Sequence, residues 1–345
     1  MTDASDPGTS TDQPFLDQLD FELLTLTHRR ALKVHCYRMM GTLHEADDLV
    51  QDTFLQAWRS RADFKQRGSL RGWLYAIATN ACLNALNSRT RTSKVLQQLD
   101  RRPSLGSATG GPTADGEWLE PYPDSELPDF AELEPGPLAR YETREAVQLA
   151  FVAAIQLLPP RQRAVLLLTD VLGWSAFEAS ALLGTSTAST NSALQRARAT
   201  LAARSGMDSP LLQTPPSAQH SLLLERYMRA WHDGSIDDFT ALLREDATYN
   251  MPPWGEWYEG RPAIHEFFQT VWNRFSGYHP VPIAANAQLA VAIYARTPQR
   301  ISWQAHSLHI IQPAQDGSIV ALTVYVGPLG PSLFPAFGLP LGLTR

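Results

Sequence analysis

The stretch ADDLVQDTFLQAW at residues 46–58 has the pattern of one amphipathic helix, and its outer face raises the main question about this chain. Apolar residues recur at spacings of three and four, which gives one continuous face for packing. The opposite face is mainly acidic and amide, with the apolar Leu55 at its centre. Such a face is either an ordinary solvated surface with one stray leucine or a surface that binds a partner. Its outward side chains are Asp48, Gln51, Asp52, Leu55, Gln56 and Arg59.

Charge is distributed unevenly along the 345 residues, although the net charge is only −6. Residues 28–94 carry a surplus of seven positive charges, and residues 141–206 a surplus of two. The segments before and between them each carry six net negative charges. This alternation excludes a uniformly basic nucleic-acid binder, but it is compatible with phosphate binding by two separate modules.

Cysteine use and hydropathy limit the class of protein. Cys36 and Cys82 lack the spacing of zinc ligands and are too few for a disulfide scaffold. We therefore expect no metal, no cofactor and a reducing, cytoplasmic compartment. No apolar run has the length of a membrane span, and the acidic N-terminus does not have the pattern of a signal peptide, so we expect no membrane association.

Composition and periodicity predict a multidomain chain with two all-α modules followed by an α+β domain. In the last domain, the alternating runs RISWQAHSLHIIQP and SIVALTVYVGP are separated by AQDG and predict an antiparallel pair of strands. The expected divisions are a disordered tail at 1–19, a helical bundle at 20–96, an acidic Pro/Gly-rich linker at 97–140, a helical module at 141–205, a linker at 206–216, the α+β domain at 217–330 and a tail at 331–345.

Residues 159–201 have the pattern of a helix-turn-helix. A first helix is expected to stop at Gly173, and a short second helix to end at Gly184. Ser186 is then a candidate N-cap for the third helix. An inward face of that helix is expected to contain Thr190, Leu194, Ala197 and Leu201.

The outward side of the third helix carries groups that suit base edges and phosphates in a major groove. An ordinary three-helix bundle with a polar outer face is the alternative. The outward set is Asn191, Ser192, Gln195 and Arg196.

Three stretches together resemble regions 2 and 4 of bacterial sigma-70-family factors of the extracytoplasmic-function (ECF) type. They are EADDLVQDTFLQAWR, FKQRGSLRGWLYAIATNACLNALNSR and LPPRQRAVLLLTDVLGWSAFEASALLGTSTASTNSALQRAR. The stretches lie in the family's order and cover less than half of the chain. The resemblance implies a region 2 bundle and a region 4 helix-turn-helix that bind core RNA polymerase and promoter DNA.

Site assignments follow from the resemblance. In this family the helix matching residues 46–59 docks on the clamp helices of the largest polymerase subunit, which assigns the outward face to polymerase binding. The next segment opens and reads the −10 element, although a place for Trp73 in the protein core stays open. The implied −10 residues are Phe64, Lys65, Gln66, Arg67, Arg71, Trp73, Tyr75, Asn80 and Asn84.

The resemblance assigns −35 recognition to the third helix of the helix-turn-helix. The family pattern has Lys or Arg at the positions of Asn191 and Ala193, so we expect weaker phosphate binding by this module alone. The implied −35 residues are Asn191, Ser192, Gln195, Arg196 and Arg198.

The linker contains the motif WLEPYPD at residues 118–124. Its two aromatic residues, Trp118 and Tyr122, are either anchors on a folded surface or incidental members of a mobile tether. The sequence leaves both interpretations open.

Residues 217–328 resemble a SnoaL-like domain, the cone-shaped α+β fold of polyketide cyclases and ketosteroid isomerases. The stretch that carries the resemblance is LLERYMRAWHDGSIDDFTALLREDATYNMPPWGEWYEGRPAIHEFF. Such folds enclose a pocket within a curved sheet, which here could hold a small-molecule ligand. The expected lining is Tyr249, Met251, Trp254, Trp257, Trp272, Trp303, His306 and Tyr325.

Proton transfer in this domain would need a buried carboxylate or histidine, and the candidates are Asp246, His306 and His309. His306 and His309 have opposite parity on their strand, so we expect only one of them to face inward. A histidine on a strand is more often structural or exposed than catalytic, so we expect no enzyme. The resemblance implies a sigma factor whose appended C-terminal domain regulates its activity, and it implies no particular anti-sigma partner. The alternatives are a helix-turn-helix regulator with a ligand-sensing domain and a cyclase or isomerase tethered to DNA.

Overall fold

The computed structural model describes most of the chain. Residues 1–17 and the Lys65, Gln66 and Arg67 of the implied −10 loop lie outside the described residues. No helix in the described part of the chain is long and apolar enough to cross a membrane. The described residues are 18–61, 64, 69–88, 118–128, 148–205, 218–255 and 257–343.

The first helical module consists of α1 (Gln18–Met40), α2 (Leu43–Arg59) and α3 (Leu70–Asn87). Gly41 turns the chain between α1 and α2 with φ of 86°, a conformation that strains residues with a side chain. The apolar face of α2 is buried against the other two helices, as predicted. Its polar face therefore points outward.

The second helical module contains the predicted helix-turn-helix. Ser175 and Glu178 form a capping box at the start of the short helix, and Gly184 ends it with φ of 61°. Ser186 caps the third helix by accepting the N–H of Ser189 at 3.1 Å. The helices are α4 (Leu149–Gln156), α5 (Pro160–Leu166) with a π turn (Leu167–Val171), α6 (Ala176–Leu183) and α7 (Thr187–Ser205).

The C-terminal domain is a mixed sheet with most of its helices on one face. Its strand order is β2-β1-β6-β5-β4-β3, with β7 on β5, and all pairs are antiparallel except β1 with β6. The predicted antiparallel pair is confirmed as β5 and β6. The helices are α8 (Ala218–Asp233), α9 (Ile236–Ala241), α10 (Arg261–Val271) and α11 (Leu329–Leu333). The strands are β1 (Leu243–Asn250), β2 (Trp257–Glu259), β3 (Gly277–Ala285), β4 (Gln288–Arg296), β5 (Trp303–Pro313), β6 (Ile319–Tyr325) and β7 (Gly342–Leu343).

The two faces of the sheet belong to different hydrophobic cores. The face under α8, α9 and α10 packs against aromatic side chains such as Trp231 and Phe268. The opposite face, which we call the outer face, contributes Ala290, Ile310 and Tyr325 to the core of the helical modules. One core therefore extends from the first helical module to the outer face of the C-terminal sheet.

The last described residues pack on the sheet instead of forming the tail expected at 331–345. Phe334 is fully buried, and its ring lies edge-on to Tyr294 with centroids 5.0 Å apart. The pairing of β7 with β5 extends the sheet beyond this aromatic contact. Burial of an aromatic side chain stabilises the docked position of this segment.

A two-residue turn, Asn286–Ala287, joins β3 to β4. Both residues have positive φ, 54° and 55°, as in the type I′ hairpin turn that favours Asn-Gly. Asparagine adopts this conformation readily, whereas it costs an alanine about 1–2 kcal/mol because of its Cβ. The turn is therefore strained at Ala287.

Ala287→Gly is expected to raise the free energy of unfolding by about 0.5–1 kcal/mol. Glycine removes the Cβ strain, and the greater freedom of the unfolded chain offsets part of that gain. A shift of the urea denaturation midpoint measures the effect. The matched control is Ala284→Gly in the extended backbone of β3, which we expect to lower stability. Destabilisation by Ala287→Gly would contradict the assignment of strain.

Candidate functional site

The outward face of α2 forms an exposed surface, which we call the acidic face. At its centre Leu55 is 53% exposed. Oδ2 of Asp48 lies 3.6 Å from Nε2 of His44, one turn earlier on the helix, and both side chains are exposed. The face is therefore accessible to a partner, as the sequence predicted. It comprises Asp48, Gln51, Asp52, Leu55, Gln56 and Arg59, all of them exposed.

The outer side of α3 presents part of the set implied for −10 DNA. Asn80 and Asn84, four residues apart, are both exposed. Trp73 is half-buried, packs against the core and lies against Phe64 with ring centroids 4.9 Å apart. Trp73 is therefore partly a core residue, which the sequence left open, and it is also one ring of a partly accessible aromatic pair with Phe64.

Tyr75 is buried, contrary to the expectation that it contacts DNA. It is only 3% exposed and packs edge-on to His35 with centroids 5.2 Å apart. The ring of Trp174, from the second helical module, lies edge-on to the Tyr75 ring with centroids 6.2 Å apart. The Arg71 guanidinium lies over the Tyr75 ring, 5.6 Å from its centroid. Periodicity within α3 could not reveal this burial, because the covering Trp174 comes from a distant part of the chain.

The outward side of α7 agrees with its pattern. The buried residues are Thr190, Leu194 and Ala197, and the exposed residues are Asn191, Ser192, Gln195 and Arg196. Arg198 differs from the implied DNA-binding set, since its guanidinium donates to both carboxylate oxygens of Asp170 at 3.0 and 2.7 Å. This bidentate pair holds Arg198 against the π turn, so the side chain braces α7.

The two helical modules pack directly on each other around a buried arginine. The Arg163 guanidinium donates to the carbonyl of Met39 at the end of α1 and to those of Ile155 and Leu158 in its own module. Burial lowers the pKa of Arg163 only to about 10, so it remains charged at neutral pH. A buried cation satisfied by carbonyl oxygens fixes the contact geometry strongly, because separation of the partners leaves polar groups unpaired.

The motif WLEPYPD is an anchor in this structure, and its Glu120 caps α2. Thr42, at the N-cap position, makes no side-chain cap, and Glu120 Oε2 instead accepts the Leu43 N–H at 2.7 Å. The Glu120 N–H in turn donates to the Gly41 carbonyl at 2.9 Å. A carboxylate at a helix N-terminus satisfies a free donor and the helix dipole, while its burial raises the pKa of Glu120.

Tyr37, Tyr122 and Asn286 connect the first module, the motif and the C-terminal sheet, and we call these three residues the junction. The Tyr122 N–H donates to Asn286 Oδ1, and the Asn286 N–H donates to the Tyr122 carbonyl, each at 2.8 Å. Asn286 Nδ2 donates to the Tyr37 hydroxyl at 3.0 Å. All three residues are fully buried. The strained hairpin tip is thus held by contacts from two other parts of the chain.

Further hydrogen bonds support the same arrangement. The Tyr325 hydroxyl on β6 donates to the Leu119 carbonyl at 2.9 Å. Asp124 Oδ1 accepts the Ala287 N–H at 2.8 Å. The start of α4 is held by Gln288, whose Oε1 accepts the Leu149 N–H at 3.0 Å. Isolated sequence patterns carried no signal for these long-range partners, apart from the aromatic residues of the motif.

The pocket lining predicted for the C-terminal domain does not come together. Tyr249, Met251 and Trp272 are buried in the core under the helices. Aromatic contacts fill that space, with Trp231 and Trp272 centroids 4.6 Å apart. Trp303 lies elsewhere, and its ring packs against the His279 ring with centroids 5.6 Å apart.

A second group of the predicted lining residues lies on the outer face. Trp254, Trp257 and Tyr325 line a cavity there, together with Trp118 and Leu119 of the motif. The expectation of one enclosed pocket failed because the side chains alternate between the two faces of the sheet and the helix-covered face is packed with rings.

The prediction that only one of His306 and His309 faces inward is wrong. A β-bulge shifts the register of β5 against β4 at His306, so simple alternation does not hold there. Ser307 Oγ lies 3.0 Å from His306 Nδ1 and 2.7 Å from His309 Nε2, and the Tyr227 hydroxyl lies 2.6 Å from His309 Nδ1. The two histidines therefore belong to one hydrogen-bonded chain.

Protonation states in this chain follow from burial. Burial lowers the pKa of His306 to about 4 and holds the pKa of His309 well below its usual value, so both are neutral at pH 7. Asp246, the candidate carboxylate, is exposed on β1 and pairs with Arg244, which lowers the pKa of Asp246. Asp246 therefore does not join the histidines.

Comparison with known families matches three stretches of the chain. Residues 24–92 match the Sigma-70 region 2 family, residues 148–201 match Sigma-70 region 4, and residues 224–322 match the SnoaL-like domain. The chain is 40% identical over 337 residues to the ECF RNA polymerase sigma factor SigG of Mycobacterium tuberculosis, covering 93% of this chain and 84% of SigG.

The chain belongs to the ECF family of RNA polymerase sigma factors. It is also 31% identical over 186 residues to the sigma factor SigM of Mycobacterium tuberculosis, covering 54% of this chain and 77% of SigM. The crystal structure of the Mycobacterium tuberculosis sigma factor SigJ matches with a TM-score of 0.58 at 20% identity, covering 94% of this chain and all of that structure. This structural match shows that the two sigma factors share a fold.

Proposed function

We propose that this sigma factor docks on the clamp helices of the largest polymerase subunit through the acidic face of α2. The observation that supports this role is the half-exposed Leu55 among outward polar side chains. A central apolar anchor surrounded by polar groups is the usual anatomy of a small protein interface. The acidic residues around it would select a basic partner and speed the encounter.

Promoter recognition is then divided between the two helical modules. Asn80, Asn84 and the Phe64–Trp73 pair are suited to unstacked −10 bases, because amides read base edges and rings stack on them. The exposed amide, hydroxyl and guanidinium groups of α7 are suited to the −35 major groove. With few cations on α7, affinity for promoter DNA depends on the polymerase complex, and the place of action is the cytoplasm.

We further propose that the C-terminal domain regulates the sigma modules without catalysis. Its outer face and the motif hold both modules in a closed arrangement, in which Trp174 covers Tyr75. Use of Tyr75 in opening the −10 region would require it to separate from Trp174 of the second module. His306, His309 and Asp246 do not line the cavity, and Asp246 is paired with Arg244, so none of these candidate acids and bases is placed to act on a molecule bound there.

Asp52→Arg combined with Leu55→Ala is expected to abolish binding to core RNA polymerase. The change reverses a charge and removes the anchor at the centre of the acidic face. Binding of the purified chain to core enzyme, followed by gel filtration or fluorescence anisotropy, measures the loss, which we expect to exceed about 100-fold.

The matched control is Leu222→Ala with Glu225→Arg, an exposed pair at the same spacing on α8. This control is expected to bind core enzyme as the unaltered chain does. Equal binding by both double variants would refute the docking role of the acidic face.

Asn286→Ala is expected to increase promoter-specific run-off transcription by about 5- to 30-fold at limiting sigma concentration. The substitution removes the acceptor of the Tyr122 N–H and the donor to Tyr37, two buried hydrogen bonds that together stabilise the closed arrangement by about 1–2 kcal/mol. Asn273→Ala at an exposed position is the control. A well-folded Asn286→Ala chain with unchanged or lower transcription would contradict the inhibitory role.

A further inference from the structure

The cavity on the outer face lies where three parts of the chain meet. Its volume is about 210 Å³. Trp118 and Leu119 of the motif form one wall, and Leu149 and Ala153 of α4 form another. The floor is the outer face of β1, β6 and β5. A molecule in this cavity would therefore touch the linker motif, the second helical module and the sheet at once.

The floor presents polar side chains in two neighbouring rows. In one row Asn250 lies beside Thr323, and in the other Thr248 and Gln312 lie on either side of Ala321. Within the described part of the chain, none of these four polar side chains forms a side-chain hydrogen bond. All four side chains are partly exposed and line the cavity, so their polar atoms are available to a bound molecule.

A buried hydrogen-bond donor also lacks a partner beside the cavity. Trp118 Nε1 is inaccessible to solvent and has no hydrogen-bond partner among the described residues, although Trp118 lines the cavity. An orphan indole N–H costs about 1–3 kcal/mol, and a small rotation of the Trp118 ring that brought Nε1 to the cavity would let an acceptor of a bound molecule recover that cost. The floor itself supplies amide and hydroxyl donors and acceptors.

The walls define the apolar part of the ligand. Trp254, Trp257 and Tyr325 supply aromatic surface, and the small side chains of Ala153 and Ala321 leave the space between them. The lining contains no charged side chain among the described residues, which disfavours an ionic ligand. The volume is below the ~300–1,000 Å³ of cavities for drug-sized molecules, so the occupant is small.

We propose that this cavity binds a small neutral aromatic compound, a single ring system carrying an amide, hydroxyl or ring N–H group. The ring packs between the tryptophans, and the polar group pairs with the Asn250–Thr323 row. Occupancy fastens the motif to the sheet. That consequence for activity rests on the proposed regulatory function, whereas the binding itself does not.

Binding is tested on the full-length ¹⁵N-labelled chain with benzamide, p-cresol and indole as probes. The indole N–H resonance of Trp118 is assigned with Trp118→Phe. At least one probe is expected to shift this resonance saturably with a Kd below about 1 mM. If none of the three shifts it at that concentration, the cavity holds water only and the proposal is overturned.

Ala321→Leu fills the floor of the cavity and is expected to weaken probe binding at least tenfold without lowering the melting temperature. Ala241→Leu, at an exposed position on α9, makes the same change away from the cavity and should leave the Kd unchanged. An unchanged Kd in Ala321→Leu overturns the site. If the probe binds as expected but does not alter run-off transcription, the site stands and the regulatory role fails.

Discussion

The tip of the β3–β4 hairpin, hydrogen-bonded to both Tyr37 and Tyr122, is the contact on which the arrangement of the whole chain depends. Three hydrogen bonds to Asn286 and a tyrosine pair with centroids 4.9 Å apart are completely buried there. Each bond contributes about 1 kcal/mol, but separation would expose several unpaired groups together, so the contact opens as a unit. The strain at Ala287 is maintained because the surrounding contacts determine the turn.

In this arrangement the surfaces proposed to bind polymerase and −10 DNA differ in exposure. The acidic face of α2 remains exposed, whereas Tyr75 is buried and packs against Trp174 of the second helical module. A closed sigma factor with an accessible polymerase-binding surface could engage the enzyme first and rearrange afterwards. The energy for that rearrangement would come from polymerase and promoter contacts that exist only in the open form.

Much of the fold was predictable because it depends on local patterns. The apolar period of α2, the capping serines of the helix-turn-helix and the alternation in β5 and β6 are read within a few residues of each other. The exposed positions on α2 and α7 follow from the same periodicity. Burial of Tyr75 by Trp174, capping of α2 by Glu120 and the division of the expected pocket depend on long-range packing, and a bulge at His306 broke the alternation that sequence reasoning assumed.

Hydrogen exchange in the free full-length chain tests most directly whether the motif and the hairpin tip form one structural unit. If they do, the amides of Tyr122 and Asn286 should exchange as slowly as those in the middle of β4 and β5, because their donors are buried and opening is cooperative. Exchange of these two amides at the rate of exposed loops, with the strands still protected, would show that the C-terminal domain does not hold the helical modules.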